Sequence, residues 1–161
     1  AVVLLAFNFN KISVYDAVSA KSSSSALALM REIVSLASQA DAVLAAHEFS
    51  DSSRSSSATV LVLEIPSVDS SGNVLASAYD YAAFYTDGTN AYRLLETHAS
   101  SARAQGTKRL SSTVQSLTFS YDNADFPATR VVTAGVEAQE QVKQEIISDH
   151  LREQVRLRNH P

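Results

Sequence analysis

The side chains with the most obvious capacity for chemistry are four histidines and a short acidic loop. The histidines are His47, His98, His150 and His160. No two of them have the spacing of a His-x-x-x-His metal site, so we expect all four at the surface. Asp122, Asn123 and Asp125 offer oxygen atoms that suit calcium. The same pattern is typical of a polar turn, which we expect here.

Two further sets of side chains suit a nucleic-acid or sugar partner. The tyrosines are Tyr79, Tyr81, Tyr85, Tyr92 and Tyr121, and the basic residues are Arg103, Lys108, Arg109, Arg152, Arg156 and Arg158. Stacked rings could bind bases or sugars, but cross-strand packing is the more ordinary role of alternating tyrosines. Asp149 and Glu153 alternate with the C-terminal arginines, which favours a solvated sheet face. The formal net charge of −4 argues against a basic surface that covers the whole protein.

Composition narrows the classes of function. The chain has no cysteine, which excludes disulfides, thiolate catalysis and thiolate metal ligands. No Gly-x-Ser-x-Gly nucleophile elbow is present. We therefore expect a non-enzymatic protein with no catalytic residue, no cofactor and no bound metal. Its 161 residues support one domain with a modest core.

An apolar segment opens the sequence. Its apolar members, which we expect to form an assembly helix, are Ala1, Val2, Val3, Leu4, Leu5, Phe7, Phe9 and Ile12. The run is too short to span a membrane, since a span needs about 20 residues. Two interpretations remain open: the segment continues a hydrophobic helix that begins earlier, or it is an ordinary buried helix end. The first 65 residues contain no glycine or proline. We expect the first interpretation, because a charge-free apolar end on an over-long helix needs a partner.

A helix is predicted from this segment to about His47. Ala26, Met30, Ile33 and Ala37 recur at helical spacing, and such a helix would be on the order of 70 Å long. A globule of the remaining residues, with a radius of gyration of about 13 Å, does not cover a helix of that length. Residues 1–25 are therefore predicted to protrude, and residues 26–161 to form the head.

The rest of the chain reads as strands. Ser50–Ser57 is predicted to be a flexible loop, and Thr59–Ile65 a strand that stops at Pro66. The further predicted strands are Val74–Thr86, Asn90–Glu96, Val114–Tyr121 and Arg130–Ala138, with Ala99–Lys108 as a loop. Periodicity alone favours a helix for the segment from Glu137 to Asn159, although a strand would also bury its apolar residues.

Several stretches resemble type IV pilins and the pseudopilins of type II secretion. Ala78–Arg93 is similar to their second and third strands, Leu110–Asn123 to the segment after their variable loop, and Gln154–Asn159 to their final strand. The N-terminal pilin signature is absent, which implies that the first half of the hydrophobic helix is missing from this sequence. The resemblance also implies a turn at Val142–Gln144 and a last strand at Glu145–Arg158.

The resemblance implies an α+β, pilin-like fold, with a long N-terminal α-helix packed on an antiparallel β-sheet meander. It implies a structural subunit of an extracellular filament at the cell surface, anchored in the inner membrane before assembly. The partners would be further copies or other pilins, with nucleic acid expected only in a DNA-uptake pilus. Lys11, Asp16 and Lys21 could pair between subunits, or could simply be solvated.

Two alternatives stay open. One is a pseudopilin of a secretion or DNA-uptake machine, which would form a short shaft. The other is a soluble periplasmic binding module that docks through its helix.

Overall fold

The computed structural model describes residues 20–21, 23–142 and 145–158. Strands account for 54% of the structure and helix for 15%. The described residues contain one α-helix, α1 (residues 20–21 and 23–37), and a single 3-10 turn at Phe126–Ala128. The strands are β1 (Ala42–Val43), β2 (Ala46–Glu48), β3 (Ser53–Ser55), β4 (Leu61–Val68), β5 (Val74–Asp87), β6 (Asn90–Glu96), β7 (Gly106–Ser111), β8 (Val114–Tyr121), β9 (Val131–Val142) and β10 (Glu145–Arg156). The predicted α+β fold, a long N-terminal helix packed on an antiparallel meander, is therefore wrong: this is mostly antiparallel β-sheet with one short helix.

Helix α1 ends ten residues before the predicted end at His47. The amides of Gln39 and Ala40 donate to the carbonyls of Leu36 and Ala37, which tightens the last turn into 3-10 geometry. The chain then turns, and Ala42 and Val43 pair with Glu64 and Leu63 of β4. The helical spacing of apolar residues continues past Ala37, but pairing with a distant strand decides the structure there.

The strands form two sheets and a separate hairpin. The five-stranded sheet has the order β1-β4-β5-β6-β7, the three-stranded sheet the order β10-β9-β8, and β2 pairs with β3. Every pairing is antiparallel. The tight turn at Asp87-Gly88 is confirmed, since Asp87 pairs with Asn90 and Gly88 adopts a positive φ of 58°.

The main core joins α1 to the inner faces of both sheets. Leu29 and Ile33 on the helix are fully buried, as are Leu63 on β4 and Phe84 on β5. They belong to one cluster with Val136 and the other inward residues of the three-stranded sheet. Burial of apolar side chains at about 25 cal/mol per Å² makes this shared cluster the main stabilising feature of the fold.

A second, smaller core lies on the other face of the five-stranded sheet. Phe49, Val62, Ala83 and Leu94 are buried there, beside the β2–β3 hairpin. The predicted flexible loop at Ser50–Ser57 is wrong, because it contains β3 and the buried Ser56. The Ser56 hydroxyl donates to the carbonyl of Leu44 at 2.7 Å and accepts the amide of Val62 at 3.0 Å.

Most of the later strand predictions are confirmed. Asn90–Glu96 and Val114–Tyr121 have the predicted bounds, and Glu145–Arg156 is a strand, not the helix that periodicity favours. Strand β4 runs past Pro66, although the sequence predicts that the strand ends there. On the side of β4 that faces β1, only Leu63 and Glu64 are paired among the described residues. Pro66 therefore interrupts no backbone pairing with β1. Strand β7 occupies part of the predicted loop Ala99–Lys108, and that prediction is wrong there.

Candidate functional site

Most of the predicted assembly segment lies outside the described residues. This holds for Ala1, Val2, Val3, Leu4, Leu5, Phe7, Phe9 and Ile12, and for the charged residues Lys11 and Asp16. The described part begins at Ala20, which is exposed like Lys21. From Ala26 onward one face of α1 is buried, so the helix enters the core from the surface of the head.

Polar contacts hold the start of α1 against the three-stranded sheet. The ammonium group of Lys21 lies 3.3 Å from the Glu140 carboxylate of β9. The Ser23 hydroxyl donates to Asp149 of β10 at 2.7 Å. Lys21 is 70% exposed, and ion pairs at such sites contribute about 0–1 kcal/mol. Lys21 is thus paired within the chain here, and its predicted contact with another subunit stays a prediction.

A second ion pair fixes the middle of the helix. The guanidinium of Arg93 on β6 donates to Glu32 of α1 at 2.7 Å, and the two side chains are 15% and 27% exposed. This pair sets the position of α1 along β6. It complements the buried residues Leu29 and Ile33, which fix the distance of the helix from the sheet.

An apolar groove runs along the outward side of α1. Leu27, Met30 and Val34 form its apolar lining, and Arg31 and Glu153 lie at its polar margin. The groove has a volume of about 370 Å³, and Leu27 is 41% exposed. It is the part of the described helix that offers an apolar surface to a neighbouring molecule.

A buried carboxylate ties the end of α1 to the sheet. Asp80 on β5 accepts hydrogen bonds from the hydroxyls of Ser67 and Ser101, both at 2.7 Å, and from the His98 amide at 2.9 Å. Arg103 donates to the same carboxylate at 2.7 Å. Burial would raise the pKa of Asp80, but these hydrogen bonds hold it below its ordinary value.

Asp80 is not among the site residues predicted from the sequence. A signal was available: Asp80 lies an even number of residues from Ala82 and Phe84, so it shares their inward-facing side of the strand. An acidic residue at an inward position needs a partner, and Arg103 in the following loop supplies it.

Four of the five tyrosines pack against other rings within the protein, as predicted, whereas Tyr79 is exposed. His47 stacks on Tyr81 with ring centres 3.8 Å apart, and the Arg54 guanidinium lies 3.8 Å from the centre of the Tyr85 ring. Tyr85 and Tyr92 are cross-strand neighbours and stack at 5.5 Å. His47 and Arg54 of the β2–β3 hairpin therefore cover the faces of the Tyr81 and Tyr85 rings on which a base or sugar would stack.

The predicted polar groups have varied surroundings. His98 and His150 are exposed as predicted, and His160 lies outside the described residues. His47 is half-buried, and its Nε2 has no hydrogen-bond partner among the residues that the structure describes, so the prediction is wrong for His47. Asp122 accepts the amides of Arg130 and Val131, which makes its loop a polar turn. In the part of the chain that the structure describes, no group of three or more His, Asp or Glu is placed to hold a metal ion.

The basic residues are divided between the two sheets. Lys108 and Arg109 lie on β7, Arg152 and Arg156 on β10, and Arg103 belongs to the Asp80 network. Arg152 and Arg156 are exposed, as predicted for a solvated sheet face.

Comparison with known protein families, with curated proteins and with solved structures found no match to this chain. Among the helical residues that the structure describes, no stretch is long and apolar enough to cross a membrane.

Proposed function

We propose that the protein is a structural, non-enzymatic subunit of an extracellular pilus-like filament and assembles through the segment that leads into α1. The observation that supports this most directly is the placement of α1. Its inward face is part of the main core from Ala26 onward, while its first residues, Ala20 and Lys21, are exposed. A pull or push on the segment before α1 is therefore transmitted to the head through buried contacts.

The residue types before α1 supply the driving force for assembly. Ala1–Phe9 contains no charged residue, and Val2, Leu4 and Phe7 are among its large or branched apolar side chains. In a membrane, hydrocarbon surrounds such apolar side chains, and in a filament the same side chains would pack against those of neighbouring copies. Head-to-tail contacts between identical chains continue without closure, which yields a helical filament.

The outward groove of α1 extends this apolar surface onto the head. Leu27, Met30 and Val34 line it, and they follow the N-terminal segment along the chain. A neighbouring subunit that packs against the helix would bury Leu27, which is 41% exposed in the single chain. The loops at the opposite ends of the strands would then face solvent.

The test compares two aspartate substitutions in the source cell. Leu5→Asp places a charge in the apolar segment, and Ser24→Asp places the same charge at an exposed position of α1. We expect wild type and Ser24→Asp in fibres sheared from the cell surface, and Leu5→Asp only in cell fractions. Equal incorporation of Leu5→Asp would overturn the proposal.

The alternatives give different distributions. A pseudopilin would stay with the membrane fraction and be absent from every surface fibre. A soluble binding module would appear in the periplasmic fraction, with Leu5→Asp unchanged. Either distribution for the wild-type chain contradicts the surface-filament assignment.

A further inference from the structure

The outward face of the three-stranded sheet carries a regular array of polar residues. The strand register aligns them in three rows: Ser116–Glu137–His150, Thr118–Gly135–Arg152 and Ser120–Thr133–Gln154. Adjacent rows are about 6.8 Å apart along the strands, and the three strands span about 10 Å. The array has the dimensions of one or two sugar rings and lies on rigid sheet.

Gly135 creates a depression at the centre of this array. The Oγ1 atom of Thr118 lies 2.6 Å from the position that a Cβ would take at Gly135, so any other residue would displace Thr118. Two contiguous hollows of about 240 Å³ and 190 Å³ result, and Thr118, Gly135 and Arg152 line both. The floor is therefore glycine backbone, with a hydroxyl on one side and a guanidinium on the other.

The groups around the depression offer a defined set of interactions. Arg152 is exposed, and among the described residues it forms no ion pair, so its planar donors are available to a carboxylate. Glu137 is held in place by the Ser116 hydroxyl at 3.2 Å and the Gln139 amide at 3.1 Å. The Ser116 and Thr118 hydroxyls donate to Glu137 and, at 3.4 Å, to the Gly135 carbonyl, so they offer acceptor oxygens, whereas those of Ser120 and Thr133 can both donate and accept hydrogen bonds.

We propose that this face binds an acidic saccharide, a short chain of neutral sugars in which one sugar carries a carboxylate group. Arg152 would bind one carboxylate through two parallel hydrogen bonds. The threonine and serine hydroxyls and Glu137 would exchange hydrogen bonds with sugar hydroxyls, and the flat floor at Gly135 admits a ring. The site lies on the opposite side of the sheet from the core and does not depend on filament assembly.

The charge pattern distinguishes this ligand from a nucleic acid. Glu137 lies one row from Arg152 and would repel a chain of phosphates. His150 contributes an imidazole to the array, but its Nε2 lies 3.8 Å from the Glu137 carboxylate, and the other eight positions carry no aromatic ring for a base to stack on. The array therefore suits a ligand rich in hydroxyls, with a carboxylate placed at Arg152.

The test measures binding of a trisaccharide that carries one galacturonic acid residue to the purified protein by isothermal titration calorimetry. The methyl-esterified trimer, which lacks the charge, and a single-stranded oligonucleotide serve as comparison ligands. We expect Arg152→Gln to weaken binding of the acidic trimer by about tenfold or more, since a charge-assisted hydrogen bond is lost. Arg156→Gln is the matched control on the same face of β10, and we expect its affinity to stay within about twofold of wild type, as befits a surface change away from the array.

A second variant tests the hydroxyl beside the depression. Thr118→Val keeps the branched shape over Gly135 but removes Oγ1, and we expect weaker binding with an unchanged thermal unfolding midpoint. The proposal is overturned if wild type does not bind the acidic trimer, if the esterified trimer or the oligonucleotide binds as well, or if Arg156→Gln matches Arg152→Gln.

Discussion

The carboxylate of Asp80 and the guanidinium of Arg103 lie 2.7 Å apart, and the Asp80 side chain is completely buried. Arg103 also donates to the Pro66 carbonyl at 2.6 Å and to the Gln39 side chain at 2.9 Å. One ion pair thus connects β5, β4, the loop that carries Arg103 and the chain just after α1. This makes it a structural junction between the helix and the five-stranded sheet.

Removal of the Asp80 charge should destabilise the head. Asp80→Asn leaves the buried Arg103 guanidinium without its counter-charge, which typically costs about 3–5 kcal/mol. Urea unfolding followed by circular dichroism measures the loss. Asp51→Asn is the control, because Asp51 pairs with Arg54 at 3.4 Å but is 48% exposed, and its loss should stay below about 1 kcal/mol. Equal effects of the two substitutions would contradict the role given to Asp80.

The same carboxylate should make stability sensitive to acid. The hydrogen bonds to Asp80 hold its pKa below the ordinary value in the folded protein, so the unfolded chain takes up the proton first as pH falls. The contribution of Asp80 is complete above an ordinary aspartate pKa of about 3.9 and is lost as pH falls through the lower native value. As pH falls below about 3.9, we expect the free energy of unfolding to decrease less steeply in Asp80→Asn than in wild type. Parallel curves for the two proteins would refute this.

Truncating a side chain to alanine should cost more stability on the buried face of α1 than in its outward groove. Ile33 is fully buried in the main core, and Ile33→Ala should cost about 2–5 kcal/mol through lost contacts and a cavity. Leu27 lies in the outward groove and is 41% exposed, so Leu27→Ala should change stability by less than about 1 kcal/mol. Chemical unfolding of both variants gives the comparison. A larger loss for Leu27→Ala would mean that the helix faces are assigned in reverse.

Tyr121 should resist alkaline ionisation more strongly than an ordinary tyrosine. Burial raises its pKa to about 12, although its hydroxyl lies 2.9 Å from the Ser57 carbonyl. The pKa of Tyr121 is higher in the folded protein than in the unfolded chain. Its contribution to stability is therefore complete below an ordinary tyrosine pKa of about 10 and is lost as pH rises towards 12. Ultraviolet titration of phenolate absorbance should show a last step near pH 12 that Tyr121→Phe removes. If that step persists in the variant, the assignment to Tyr121 fails.

Local patterns predicted the strands that have clear turns at their ends. Asp87-Gly88 places the start of β6 at Asn90, and the alternation of Leu117, Phe119 and Tyr121 defines the inward face of β8. Only the resemblance to pilins predicted the last strand, because the Gln, Glu, Lys and Arg residues of this segment favour a helix by local rules. Pairing of β10 along the whole of β9 overrides that preference.

Features that depend on distant contacts were missed. Ala42 and Val43 continue the helical pattern, and only their pairing with β4 reveals them as a strand. Strand β7 contains Thr107, Lys108 and Arg109, so it reads as a loop until its pairing with β6 is known. The polar array around Gly135 also has no signal in the linear sequence, since its three rows exist only once the register of β8, β9 and β10 is set.

The filament assignment has one direct test, which is electron cryomicroscopy of fibres sheared from the surface of the source cell, with mass spectrometry of the same fibres. We predict that this polypeptide is a component. We also predict that the apolar N-terminal segments of neighbouring copies pack together at the fibre axis, with the two sheets of each head on the outside. Fibres that lack the polypeptide, or whose axis is occupied by the sheets of the heads, would contradict the account.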